Sequence, residues 1–117
     1  MNTKDFKKYV DKRLKDCVDT LFKKSDEYSR IDDKHHNFKR AGAMKGESPE
    51  KALQGMKSKH DISIMDIIDD IEKHGKYPDK KMLREKIIDD INYLLLLESL
   101  ILEHMDNNIK KKEIKGR

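Results

Sequence analysis

The sequence predicts an all-α fold: a helical bundle of three main helices plus a short helix or ordered loop, completed by oligomerisation. Three observations carry this expectation. Apolar residues recur at steps of three and four in three separate stretches, the mark of amphipathic helices. Both prolines and most of the five glycines fall between those stretches. Charged residues make up 43% of the chain and hydrophobic ones 35%, which gives long helices a slim core and leaves burial to be finished by association.

The 117 residues allow one domain, expected over 1–107 and followed by a basic tail over 108–117. The first helix is predicted over 4–24, where Phe6, Tyr9, Val10, Arg13, Leu14, Cys17, Val18, Leu21 and Phe22 share a broad face. Periodicity stops over 25–47. A stretch of that length without structure is unusual in a compact domain, so it is expected to hold a short helix or a functional loop. Ser48-Pro49-Glu50 then supplies a capping hydroxyl, a proline at the first helical position and early negative charge. The helix it starts is predicted over 49–74, with Gly75 closing it in the left-handed conformation. Its stripe is Leu53, Met56, Ile64, Ile67, Ile68 and Ile71, and His60 and Ser63 sit where that stripe continues. Tyr77-Pro78-Asp79 makes a turn, and Asp79 caps a third helix predicted over 79–107. From Leu94 to Leu102 this helix is apolar almost all round, so it must be enclosed on every side. Ile67-Ile68-Asp69-Asp70-Ile71 and Ile87-Ile88-Asp89-Asp90-Ile91 echo each other on two helices joined by a short turn, which favours antiparallel packing.

Several function classes are disfavoured. The net charge of +4 is spread over interleaved signs, a poor footprint for nucleic acid, and Lys110-Lys111-Lys112 reads as a solvated end. Cys17 is alone, so no internal disulfide forms. No signal-peptide core follows Met1, and the leucine run falls short of the ~20 apolar residues of a membrane span. A cytoplasmic protein is the expectation. No phosphate loop, nucleophile elbow or dinucleotide fingerprint occurs.

Polar residues within the helices mark where chemistry could reside. Glu85, Asp89 and Asn92, beside Tyr93, form one strip, and Lys59, Ser63, Asp66 and Asp70, beside His60, form another. Carboxylates drawn out of water need a partner. Facing strips therefore either fix the bundle's register or hold a ligand between helices. If magnesium binds, Asp66, Asp70, Glu85 and Asp89 are its candidate ligands, because carboxylate oxygens suit that ion. The segment His35-His36-Asn37-Phe38-Lys39-Arg40 combines planar donors, an aromatic ring and fixed positive charge, a set able to stack on a base and hold a phosphate. Phe38 taken alone reads better as a core anchor. Adjacent histidines without a nearby cysteine argue against zinc.

Tyr28, His36-Asn37-Phe38-Lys39, Ser48-Pro49-Glu50-Lys51-Ala52-Leu53, Lys59-His60, Ser63-Ile64-Met65-Asp66 and Asp89-Asp90-Ile91-Asn92-Tyr93-Leu94 occur in that order. Together they resemble small bacteriophage proteins distantly similar to the all-α nucleotide pyrophosphatases, the group that includes MazG and the dimeric dUTPases. The resemblance covers about 25–103 and implies a four-helix, oligomeric assembly with a nucleotide site between helices. The group's two acidic metal motifs correspond to Ser63-x-x-Asp66 and Lys86-x-x-Asp89, with Glu85 one place off, so two of four ligands are missing. Three readings follow, in order. The first is a phage-type nucleotide-binding protein that captures a nucleotide or signalling nucleotide, as a counter-defence in the cytoplasm of an infected bacterium. Its ligand residues would be Tyr28, His36, Asn37, Phe38, Lys39, Arg40, Lys59, His60, Ser63, Asn92 and Tyr93. The alternatives are a magnesium-dependent nucleoside triphosphate pyrophosphatase and a protein-binding bundle that inhibits a host enzyme.

Overall fold

The computed structural model describes the backbone of residues 1–28 and 32–115 and the side chains of 1–23 and 32–113. Four helices and no strand occur among the described residues: α1 (Thr3–Tyr28), α2 (His36–Lys45), α3 (Pro49–His74) and α4 (Lys80–Lys115). The fold is therefore all-α, and the expected short helix is α2.

Local chemistry fixes most of the ends. Asn2 Oδ1 accepts from the Asp5 amide at 2.8 Å, Ser48 Oγ from Lys51 at 3.1 Å, and Asp79 Oδ2 from Met82 at 3.1 Å. Each satisfies an amide that has no partner inside its own helix. Gly75 ends α3 at φ 60°, with its amide and that of Lys76 closing on the Ile71 and Asp70 carbonyls. The segment expected as a tail from 108 continues α4 as helix through Lys115.

α3 packs on both α2 and α4, and α1 packs on α4. Glu50 meets His104 and Lys57 meets Asp90, so α3 and α4 run antiparallel. Phe38, Leu53 and Leu100 form the inner core, with Met56, Tyr93, Leu96 and Leu97 around it. Gly42 belongs to this packing. A Cβ there would lie 2.7 Å from the Glu47 carbonyl oxygen and 2.9 Å from that of Ser48, so only glycine lets α2 turn so closely onto α3.

The shape is drawn out, 62 × 34 × 28 Å, with a radius of gyration of 18.1 Å. A compact domain of this length has ~13 Å. Among the described residues, Leu53, Leu100 and Cys17 are the larger side chains that are fully buried. Burial within one chain is thin.

Candidate functional site

The residues before α2 and on the inner side of α4 build a polar cluster at the mouth of a cleft. Asp33 starts it: its Oδ1 accepts from the His35 amide at 2.9 Å, which turns the chain into α2. That turn carries the His35 ring, only 9% exposed, onto α4. Its Nδ1 pairs with Glu103 Oε2, and its Nε2 lies 2.8 Å from Ser99 Oγ. Ser99 and Glu103 are four residues apart on one helix, so they present a common face. Lys39, one turn into α2, sets its Nζ 3.0 Å from Asp33 Oδ2 and 3.1 Å from Glu103 Oε1. Two carboxylates, a lysine and an imidazole thus clasp α2 to α4.

The electrostatics follow the contacts. The His35 ring and the Lys39 ammonium hold the Glu103 carboxyl below its ordinary value. The His35 amide and Lys39 do the same for Asp33. Lys39 is raised in turn by both acids. Among the described residues, Asp33, His35 and Glu103 are the one group of three or more whose ligand atoms all lie within 4.8 Å and could hold a metal. Lys39 already supplies the positive charge those carboxylates need, so a cation would have to displace it. The chemistry on offer is acceptance: each carboxylate keeps lone pairs free for a donor.

The cleft beside this cluster has a volume of about 440 Å³. Leu21 and Phe22 of α1 and Leu95 and Leu96 of α4 make its apolar walls, while Asp33, His35, Ser99 and Glu103 give it a polar end. The Lys34 ammonium, which also lines the cleft, lies over the Phe22 ring, 4.9 Å from its centre.

A second cluster ties α3 to α4. Lys57 Nζ is 3.0 Å from both oxygens of Asp61 and 3.3 Å from Asp90 Oδ1. Burial and the hydrogen bond with Asp61 raise Asp90, while Lys57 lowers Asp61, so a proton shared between these acids resides on Asp90. Nearby, the His60 ring tilts against Tyr93 at 5.1 Å between centres, with its Nδ1 buried and unbonded.

The residues singled out from the sequence scatter over these features. Lys39 joins the cleft-side cluster. Phe38 lies in the core, and Asn92 is buried with its Nδ2 donating to the Cys17 carbonyl at 3.1 Å. His36 and Ser63 are half-buried, whereas Asn37, Arg40 and Lys59 are exposed. The Tyr28 side chain lies outside the described residues. Asp66, Asp70 and Glu85 are exposed and Asp89 is half-buried, and no three of these four bring their oxygens within 4.8 Å. Sequence reasoning passed over Asp33, Ser99 and Glu103 as a set. The Ser99–Glu103 spacing was the signal that could have found them.

The fold and site define a four-helix, all-α protein with a lateral cleft. Comparison with family models, with curated proteins and with solved structures finds no match. No helix among the described residues is long and apolar enough to cross a membrane.

Proposed function

We propose that this chain is a binding protein that captures a nucleoside-type small molecule in the cleft between α1 and α4. The cleft carries the reading: its 440 Å³ lies within the ~300–1,000 Å³ of small-molecule sites, and apolar walls meet a few convergent polar groups. A planar ring would lie against Phe22, Leu95 and Leu96. Its amino or hydroxyl donors would reach the free lone pairs of Asp33, Glu103 and Ser99. Asp33 and Glu103 favour donors of the base at this end, while Lys34, which also lines the cleft, supplies a cation for a phosphate. This changes the part expected of Lys39, which serves the acids and leaves phosphate uncontacted. Sequestration of a signalling nucleotide during phage infection would suit such a binder, on the strength of the sequence resemblance. Magnesium-dependent hydrolysis is no part of the reading, because no three of Asp66, Asp70, Glu85 and Asp89, the residues expected to hold magnesium, bring their oxygens together.

Titration calorimetry with a panel of nucleosides and of mono-, di- and cyclic nucleotides, up to about 1 mM, tests it. Saturable binding by at least one of them, weakened about tenfold or more when Ser99→Trp fills the cleft, is expected. Absence of heat across the panel, or binding indifferent to Ser99→Trp in a folded variant, overturns it.

A further inference from the structure

Ser99, His35 and Glu103 stand in an order that a clasp between α2 and α4 does not need. The Ser99 hydroxyl lies 2.8 Å from His35 Nε2, and His35 Nδ1 pairs on the other side of the ring with Glu103 Oε2. A nucleophile, a base within hydrogen-bond reach and an acid that orients the base are thus in line. Ser99 is exposed and lines the cleft, whereas the His35 ring is buried. Such a set is recognised by geometry and roles, whatever its order in the sequence. No glycine flanks Ser99, so no nucleophile elbow announced it.

The proton positions fit these roles. With the ring proton on Nδ1 and donated to Glu103, Nε2 keeps a lone pair toward Ser99. Lys39 meets the other oxygen of Glu103 at 3.1 Å, which keeps that acid ionised and fixes its orientation. The Ser99 hydroxyl also reaches the Leu96 carbonyl at 2.8 Å, where its proton rests until it turns to Nε2. That turn is a rotation about the Cβ–Oγ bond and moves no heavy atom. The amides around Ser99 are spent inside α4, so no pair of backbone donors awaits an oxyanion. Lys34, whose ammonium lies over Phe22 in the same cleft, is the cation for that charge. Each missing oxyanion donor costs about 10²–10³ in rate, which restricts the chemistry to esters with good leaving groups.

We infer that Ser99, His35 and Glu103 form a hydrolytic triad that cleaves small activated carboxylic esters, whose apolar acyl group lies against Phe22, Leu95 and Leu96. Ser99 Oγ attacks the acyl carbon as its proton passes to His35 Nε2. The bond from that carbon to the leaving oxygen then breaks, and His35 returns the proton to the departing alcohol. Water next attacks the acyl ester on Ser99 and gives a proton to His35. Ser99 takes that proton back as the acid leaves. The net reaction is ester plus water to acid plus alcohol, with no metal taking part. Ser99 and His35 are the catalytic residues, and Glu103 and Lys39 position the ring. This activity goes beyond capture of a nucleoside and does not depend on it, because the packing of α2 on α4 aligns the three residues in the free chain.

Labelling of the full chain with a fluorophosphonate, located by peptide mass spectrometry, is the test, together with hydrolysis of p-nitrophenyl butyrate. A label on Ser99 and on no other serine is expected. Saturable hydrolysis, reduced about 100-fold or more by Ser99→Ala and by His35→Gln, should accompany it. Glu103→Gln should lower kcat about tenfold or more with KM within about twofold, a split that loosened packing alone would not give. Ser99 is exposed, so Ser99→Ala remains decisive even where His35→Gln disturbs the clasp. An unlabelled Ser99 in the folded wild type, hydrolysis that survives Ser99→Ala, or a kcat unchanged in Glu103→Gln overturns the inference. Calorimetry with nucleosides is indifferent to each of these results, so the two readings fail separately.

Discussion

Asn92 on α4 donates its side-chain amide to the Cys17 carbonyl of α1 at 3.1 Å, and both residues are buried. This bond crosses from one helix to the other where Cys17 is 1% exposed, and burial pushes the thiol up from its ordinary value. Asn92→Asp would set carboxylate lone pairs against the carbonyl oxygen. The expected loss is about 2–3 kcal/mol of stability, with a faster reaction of Cys17 with an alkylating agent. Denaturant unfolding and native-state thiol labelling measure the two effects. Unchanged labelling would show that α1 does not depend on this bond.

Two glycines within helices should respond in opposite ways. Gly42→Ala forces a methyl group into backbone oxygens of Glu47 and Ser48, and the turn must shift. A loss of about 1–3 kcal/mol is expected. Gly55 lies in α3 with nothing within 4 Å of an added Cβ. Alanine there should stabilise by about 0.5–1 kcal/mol, because helix propensity is the remaining effect. Thermal unfolding of the two variants side by side decides the point.

The clasp between α2 and α4 should have a defined acid limit. Glu103 and Asp33 titrate below their ordinary values of 4.5 and 3.8 in the folded chain. Their contribution is therefore complete above those values and disappears as pH falls through the lowered ones. Glu103→Gln should lower the melting temperature around pH 6, and the difference from wild type should shrink as pH falls below the ordinary 4.5. Asp90, whose value is raised, runs the other way and gains as pH falls. The comparison between variant and wild type isolates the clasp from that effect.

Lys57 is held between Asp61 and Asp90 and is 12% exposed. Lys57→Met would leave two carboxylates facing one another across α3 and α4. A loss of about 1–3 kcal/mol is expected, and Asp90→Asn in the same chain should restore part of it. A double-mutant cycle by urea unfolding measures that coupling.

Periodicity and caps made the helices legible. Ser48, Pro49 and Gly75 bracket α3 at the expected residues, because helix ends are set by local chemistry. The run from Leu94 to Leu102 is helical as expected, but within one chain Leu94, Leu95, Ile101 and Leu102 stay about half exposed and not enclosed on every side. The site was less legible, since it joins residues 64 or more positions apart in sequence, as in Lys39 with Glu103. Tertiary packing alone brings these together. In the sequence Phe38 reads both as a core anchor and as a ligand residue, and Asn92 as a ligand residue, because aromatic and amide side chains serve cores and sites equally well. Only burial and partners separate those roles.

Native mass spectrometry of the gently purified protein tests the central claim, capture of a small molecule in the cleft, most directly. A protein carrying one bound small molecule per chain, released on heating and absent from Ser99→Trp, is expected. A bare protein mass, or an adduct that persists unchanged in Ser99→Trp, would contradict it.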